Sequence, residues 1–123
     1  MENNAVGWFE IYVQDMDRAR KFYESVFQSR LEKLEMPGVE MWAFTMKEGA
    51  PGAAGALIRM EGFPSGGNST LVYFYCNDCA VESKRASENG GAIFKEKFSI
   101  GEYGFIALVT DTEGNMIGLH SVK

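Results

Sequence analysis

Residues 6–15 read VGWFEIYVQD, and residues 69–78 read STLVYFYCND. Both stretches alternate between two kinds of side chain, as strands do, and both end in an Asp followed by a helix-like segment. One strand-to-helix pattern therefore occurs twice within 123 residues, at an offset of 63 positions. A repeat of this kind predicts a fold built from two copies of one supersecondary unit.

Each copy continues with the pattern of a helix and three strands. In the first copy, Asp15 is a predicted N-cap, a helix extends to about Phe27, and strands are predicted near residues 29–35, 41–46 and 56–60. After a loop at residues 61–68, the second copy predicts a strand at 70–76, a helix at 78–89 ended by Gly90 and Gly91, and strands at 92–98, 105–110 and 116–122. In the first helix, one apolar stripe contains Met16, Ala19, Phe22, Tyr23, Val26 and Phe27.

These elements predict one α+β domain over residues 1–123. It contains two β-α-β-β-β modules, at about residues 5–62 and 69–122, and a chain of this length can bury a core without disulfides or metals. The two modules are expected to form a cup-shaped mixed β-sheet with the helices on its outer face.

Composition and charge narrow the class of protein. The net charge of −5, from 12 basic and 17 acidic residues, disfavours nucleic acid and anionic membrane surfaces as partners. Residues 1–4 (MENN) show neither the basic segment nor the apolar run of a signal peptide, and no stretch approaches the length of a membrane span. A cytoplasmic protein is therefore expected.

The two cysteines, Cys76 and Cys79, have the C-x-x-C spacing of a redox pair or of half a zinc site. A zinc site needs two further ligands, and the chain has no third Cys and a single His. Because Cys76 ends a predicted strand and Cys79 falls in the first helical turn, we interpret both as small buried apolar side chains.

Strand periodicity separates two faces in each module. In the first strand Phe9, Ile11 and Val13 suit the face covered by the helix, and Val72, Phe74 and Cys76 do so in the repeat. The opposite face is aromatic and amphipathic, which is typical where one end of a side chain is dry and the other wet. The predicted ligand-binding residues of this concave face are Trp8, Glu10, Tyr12, Tyr73, Tyr75 and Met116, with His120 beside them and Trp42 or Met41 added according to register.

Three stretches carry a resemblance to a known family: residues 9–23 (FEIYVQDMDRARKFY), Gly90 with Gly91, and residues 111–117 (DTEGNMI). Together they resemble the vicinal oxygen chelate superfamily, which includes glyoxalase I, bleomycin-resistance proteins and extradiol dioxygenases. The resemblance covers essentially the whole chain. It implies paired β-α-β-β-β modules in a cup-shaped sheet, and a homodimer.

The resemblance also implies where metal-dependent members hold their ion. The corresponding positions here are Trp8, Leu71 and Gly118, and the fourth ligand, a Glu on the last strand of module one, has no counterpart between Ala53 and Met60. A divalent ion needs three or four donors from different strands. We therefore expect no metal and no cofactor.

Glu10 and His120 are the candidate catalytic residues. An apolar setting would raise the pKa of the Glu10 carboxyl and make it a general base, and matching face parity makes His120 a possible partner. The alternative for Glu10 is a carboxylate hydrogen-bonded to a Tyr hydroxyl, to the Trp8 indole or to a backbone N–H. The alternative for His120 is a surface or interface histidine.

The sequence thus predicts a metal-free protein of this superfamily that binds a small organic molecule in an aromatic cup. An aromatic cup in an acidic chain suits a planar or cationic molecule. The competing hypothesis is an enzyme of the lactoylglutathione lyase or isomerase type, related to glyoxalase I. A third is a purely structural interaction module, whose cup is closed by side chains.

Overall fold

The computed structural model describes residues 3–67 and 69–123. The last residue of the loop predicted at 61–68 lies outside the described residues, as do residues 1 and 2 of the N-terminal segment. The chain divides into two compact units. We call residues 8–70 the N-terminal unit, and residues 3–7 together with 71–123 the C-terminal unit, and each strand is assigned to the unit that contains most of its residues.

The N-terminal unit contains five elements: β1 (Val6–Tyr12), α1 (Met16–Phe27), β2 (Glu32–Met36), β3 (Val39–Ala43) and β4 (Ala54–Arg59). Its strands lie in the order β2-β3-β4-β1. Strand β1 is parallel to β4, and the other two pairings are antiparallel.

The C-terminal unit repeats this arrangement with β5 (Thr70–Tyr75), α2 (Cys79–Glu88), β6 (Ala92–Ser99), β7 (Phe105–Thr110) and β8 (Met116–Ser121). A single 3₁₀ turn, Gly101–Tyr103, precedes β7. The strand order is β5-β8-β7-β6, and β5 is parallel to β8 as β1 is to β4. The predicted α+β class and the two β-α-β-β-β modules are confirmed.

Both helices begin as the sequence predicts. Asp15 and Asp78 are N-caps in extended conformation, and their carboxylates accept from the Arg18 and Ala80 amides, at 3.1 Å in each case. These bonds satisfy amides of the first turn that have no partner within the helix. Each cap therefore fixes the residue at which the helix of its module begins.

Each helix covers one face of the strands of its own unit. Met16 of α1 packs in a cluster with Val13, Leu31 and Leu57, to which Ile11 is added from β1. In the C-terminal unit Cys79 of α2 packs with Val109 and Leu119 and is joined by Phe74 and Cys76. The predicted assignment to the helix side is thus confirmed for Ile11, Val13, Phe74 and Cys76.

The stripe on α1 is only partly covered. Met16 is 4% exposed, whereas Phe22, Val26 and Phe27 are 57%, 54% and 63% exposed. Successive residues of a helix turn by about 100°, so a stripe this wide extends beyond the strip that one sheet can cover. The core-facing part of α1 is therefore narrower than its apolar pattern.

Three strands of the N-terminal unit differ in position from the sequence prediction, and β2 begins at Glu32, not at residue 29. Strand β3 ends at Ala43, not at Met46, and β4 begins at Ala54. A two-residue turn at Pro37 and Gly38, with Gly38 at φ +77°, pairs Met36 with Val39 and so starts β3 earlier.

Over residues 3–67 and 69–123, none of the helices is both long enough and apolar enough to traverse a bilayer.

Candidate functional site

A carboxylate lies buried on the face of the N-terminal sheet opposite α1. Glu10, at the centre of β1, is 8% exposed. Its Oε2 accepts from the Trp8 indole Nε1 at 3.1 Å, and its Oε1 accepts from the Tyr12 hydroxyl at 2.7 Å. Glu10 is therefore hydrogen-bonded on both oxygens by aromatic side chains of its own strand.

The strand period explains why these three residues meet. Residues at i−2, i and i+2 of one strand project from the same face. Glu10 lies opposite Ala56 of β4, which in turn lies opposite Ala43 of β3, and these small side chains leave room for the carboxylate and its donors. The alternation of side chains along β1 therefore brings Trp8, Glu10 and Tyr12 together on one face.

Apolar groups surround the carboxylate. Trp8 and Tyr12 pack against a cluster that includes Met41 and Ile58. The Tyr12 ring also stacks on Phe63, with ring centroids 5.3 Å apart and an interplanar angle of 23°. Phe63 lies in the loop after β4, and no strand or helix period marks it in the sequence.

This geometry agrees with the hydrogen-bonding interpretation of Glu10. A carboxylate that accepts charge-assisted bonds from an indole and a phenol is held in one orientation. It can present a fixed negative charge, or a hydrogen-bond acceptor, to a molecule lying against Trp8 or Tyr12. The prediction that Glu10 acts as a general base stays a prediction.

Trp42 does not lie on this face. It pairs with Leu57 and packs with the α1 cluster, where the Arg20 guanidinium carbon lies 3.5 Å from its ring centroid. Met41 instead occupies the Glu10 side of β3. The placement of Trp42 with Trp8 and Tyr12 is thus corrected, because the β3–β4 pairing assigns Met41 to that position.

The C-terminal unit has its own aromatic face. Tyr73 pairs with Gly118 and Tyr75 pairs with His120, on the side opposite Phe74 and its α2 contacts. Met116, two residues before Gly118, shares this side by the same alternation. The predicted set Tyr73, Tyr75, Met116 and His120 therefore lies on one face of this sheet.

Two of these rings lie directly over glycines. A Cβ added to Gly118 would overlap the Tyr73 ring, and one added to Gly7 would overlap the Tyr75 ring. Tyr73 is buried by this packing, whereas Tyr75 stays 47% exposed. The glycines thus act as platforms that let the tyrosine rings lie flat on the sheet.

His120 is tied to the 3₁₀ turn. Its Nε2 lies 2.6 Å from the Tyr103 carbonyl oxygen. A carbonyl only accepts, so Nε2 must donate, and in the neutral ring Nδ1 is then the acceptor. The predicted acid/base pairing of His120 with Glu10 joins residues of different units and stays a prediction.

The cysteines are free thiols, and Cys79 is fully buried. Burial raises the pKa of the Cys76 thiol to about 11, and the neighbouring Glu82 carboxylate and Cys79 act in the same direction. A reactive cysteine needs a lowered pKa. The prediction of a small buried side chain is therefore confirmed for Cys79, whereas Cys76 is only partly buried, and its raised pKa disfavours the redox interpretation.

The residues at the implied metal positions do not fit a metal ion. The Trp8 indole nitrogen is a donor and is bonded to Glu10, Leu71 is apolar, and the Tyr73 ring fills the space above Gly118. Strand β4 contains no carboxylate. Within the described part of the chain, no three His, Cys, Asp or Glu side chains are grouped so that they could hold an ion.

Most of the chain matches the model of a known protein family. A family model described as the Glyoxalase/Bleomycin resistance protein/Dioxygenase superfamily matches residues 5–119. A comparison with curated proteins finds no match.

Similar solved structures share the fold at low sequence identity. Methylmalonyl-CoA epimerase from Mycobacterium tuberculosis is 16% identical, with a TM-score of 0.70 over 97% of this chain and 88% of that chain. A hypothetical protein from Bacillus halodurans C-125 is 14% identical, with a TM-score of 0.73 over 99% and 96%. A methylmalonyl-CoA epimerase from Streptomyces coelicolor, in complex with 2-nitronate-propionyl-CoA, is 14% identical, with a TM-score of 0.67 over 96% of both chains. The family match over residues 5–119 and the paired β-α-β-β-β units together show that the chain belongs to the Glyoxalase/Bleomycin resistance protein/Dioxygenase superfamily.

Proposed function

We propose that this protein binds a small, planar organic cation through side chains alone, without a metal ion or other cofactor. The observation that carries the proposal is the buried Glu10 carboxylate, held between the Trp8 indole and the Tyr12 hydroxyl. An aromatic cation gains from ring faces and from a desolvated carboxylate together. Tyr73, Tyr75 and Met116, on the aromatic face of the C-terminal unit, are proposed separately as ligand-binding residues of that unit.

The side chains at the implied metal positions support ligand binding that does not depend on a metal ion. Those positions carry an indole, an isobutyl group and a hydrogen, and none of them can donate a lone pair to an ion. The proposal extends to a homodimer, which the family implies and sedimentation velocity tests, and to a cytoplasmic location. A lyase or isomerase of the glyoxalase I type is the alternative, and stoichiometric nickel or zinc in the purified protein would favour it.

Calorimetric titration with N-methylquinolinium tests the binding proposal. At about pH 8, where carboxylates are ionised, we expect Glu10→Gln to weaken binding by about tenfold or more, because the negative charge is lost. Uncharged quinoline should lose less than about threefold on the same substitution, since it has only the ring contacts. Tyr12→Phe keeps the ring and Glu10, and it should weaken cation binding by a smaller factor.

Glu40 offers a matched control. Its Oε2 accepts from the Trp42 indole at 3.3 Å, so Glu40 and Trp42 repeat the Glu10–Trp8 arrangement on the opposite face of the same sheet. Glu40→Gln should leave the affinity for N-methylquinolinium within about twofold of wild type. Equal losses in both glutamine variants, or no loss in Glu10→Gln, would show that the Glu10 face is not the binding site.

A further inference from the structure

A surface cavity of about 390 Å³ lies at the end of β4 in the N-terminal unit. It is lined by Gln14, by Arg59 and by the loop residues 60–64. The loop is a tight turn in which the Phe63 amide donates to the Met60 carbonyl at 3.2 Å, with Gly62 at φ +88°. The cavity therefore has a wall of defined backbone geometry.

Side-chain contacts attach this loop to the sheet. The Gln14 amide nitrogen donates to the Val13 carbonyl at 3.2 Å and to the Phe63 carbonyl at 3.5 Å. The Phe63 ring stacks on Tyr12 of β1. Contacts of both kinds preorganise the cavity and so reduce the entropic cost of binding there.

Arg59 is the basic group of the cavity, and its guanidinium is anchored on one side only. Its Nε donates to the Gln14 carbonyl at 3.0 Å. Among the residues that the structure describes, the ion pairs found within 4 Å do not include Arg59. The two Nη groups thus have no carboxylate partner in this part of the chain.

The obvious intramolecular partner is engaged elsewhere. Glu40 lies directly opposite Arg59 in the β3–β4 pairing, where an opposite charge would ordinarily form a cross-strand pair. Its carboxylate instead accepts from the Trp42 indole. Arg59 is exposed, and the cavity differs from other unpaired arginine sites of the described residues in holding this guanidinium by its Nε, so that the Nη groups are available to a ligand.

We propose that this cavity binds the oxyanion group of a small molecule, a carboxylate or a phosphate, through the Nη groups of Arg59. The planar guanidinium fork suits either oxyanion and can bind it through two parallel hydrogen bonds. Met60 and Phe63 supply apolar surface for the remainder of the molecule. The oxyanion is bound by Arg59 and not by Glu10, so the proposal does not depend on the binding of an organic cation, although Phe63 contacts both the cavity and Tyr12.

Glu61 sets the strength of this site. It also lines the cavity, and its carboxylate opposes an anion in the same space. Removing the charge of Glu61 should therefore strengthen oxyanion binding, whereas removing that of Arg59 should weaken it. A general change of net charge would act in the same two directions, so the distant Arg30→Gln control is needed to distinguish a local site from it.

The test is an amide chemical-shift titration of the full chain with sodium benzoate and, separately, with inorganic phosphate at constant ionic strength. We expect saturable shifts at Gln14 and at residues 60–63. Arg59→Gln should weaken binding by about tenfold or more, and Arg59→Lys by less, because lysine keeps the charge but not the fork. Glu61→Gln should strengthen binding by about twofold to fivefold.

Arg30 is the control, because it is exposed, lies outside the cavity and likewise has no ion pair among the described residues. Arg30→Gln should leave both affinities within about twofold of wild type. Tighter benzoate binding would identify a carboxylate with an apolar body, and tighter phosphate binding would identify a phosphate. The proposal is overturned if neither probe saturates, or if Arg59→Gln and Arg30→Gln behave alike.

Discussion

At the scale of single residues, the most informative substitution in this chain is a glycine where the family resemblance implies a glutamate. Gly118 has no side chain, and the Tyr73 ring fills the space that a side chain would enter. The ring and the glycine therefore form one packing unit. Restoring a carboxylate at position 118 would require the tyrosine to move.

Gly118→Ala should destabilise the protein by about 1–3 kcal/mol, because its methyl group overlaps a buried ring. In a Tyr73→Ala background the same change should cost much less, since the ring is gone. Urea unfolding of the two single variants and the double variant measures the coupling. Additive effects within about 0.5 kcal/mol would show that the ring does not exclude a side chain at position 118.

The Cys76 thiol should be unreactive near neutral pH. Its pKa of about 11 leaves little thiolate, and the thiolate is the reacting species. The rate of iodoacetamide modification should therefore keep rising well above pH 9, beyond the range in which a free cysteine levels off. A Cys76→Ser variant identifies the contribution of buried Cys79, and a rate that levels off near about pH 8.5 would contradict the raised pKa.

At the scale of the residue, alternation was sufficient to place Trp8, Glu10 and Tyr12 on one face, and Tyr73, Tyr75 and His120 on another. It could not place Trp42. The run from Met41 to Met46 is apolar at nearly every position, so its period does not distinguish the two faces. Phe63 and Arg59 lie in or beside a loop, where no period exists.

At the scale of elements, the two helices show how far an apolar pattern predicts burial. Helix α1 has six apolar positions, yet Met16 is its only buried residue, and Phe22 and Val26 remain more than half exposed. Helix α2 buries Cys79 and Ser83. The sequence alone identifies both helices and their N-caps, but the area each one covers depends on the sheet beneath it.

Truncation of α1 should therefore have unequal effects along its stripe. Met16→Ala should cost about 2–5 kcal/mol because it leaves a cavity in the core. Phe22→Ala should cost about 1 kcal/mol or less, since its ring is 57% exposed. Chemical denaturation gives the free energy of unfolding of each variant. A larger loss of stability for Phe22→Ala would mean that α1 packs against the sheet through the side that carries Phe22.

Strand boundaries in the N-terminal unit were predicted less well than the elements themselves. The turn at Pro37 and Gly38 sets the β2–β3 register locally. The pairing of β1 with β4 has no connecting turn and is fixed by packing between distant segments, such as Glu10 opposite Ala56. A register of this kind is not written in any short stretch of sequence.

At the scale of the whole molecule, ionisable side chains make the free energy of unfolding depend on pH in both the acid and the alkaline range. The Lys97 ammonium, 2.8 Å from Asp78, and the Ala80 amide lower the pKa of the Asp78 carboxyl. Amides of the β7–β8 loop, chiefly that of Asn115, lower the pKa of Asp111. Both carboxylates favour the folded state only when they are ionised in it.

The free energy of unfolding should therefore fall as the pH drops below the ordinary Asp pKa of 3.8. Cys76 acts in the opposite sense, because its pKa is raised in the folded state. Its contribution is complete below the ordinary value of 9.0 and is lost as the pH rises towards about 11. Unfolding measured from about pH 2 to 11 should show both declines, and Asp78→Asn with Asp111→Asn should flatten only the acid one.

The most direct measurement is calorimetric titration of N-methylquinolinium into wild-type protein, first with a chelator present and then with excess nickel or zinc. If the ligand is held by Trp8, Glu10 and Tyr12, the two affinities should agree within about twofold, because no ion takes part. Binding that appears only in the presence of the metal would contradict side-chain recognition. It would place an ion, and not the Glu10 carboxylate, at the centre of this protein's chemistry.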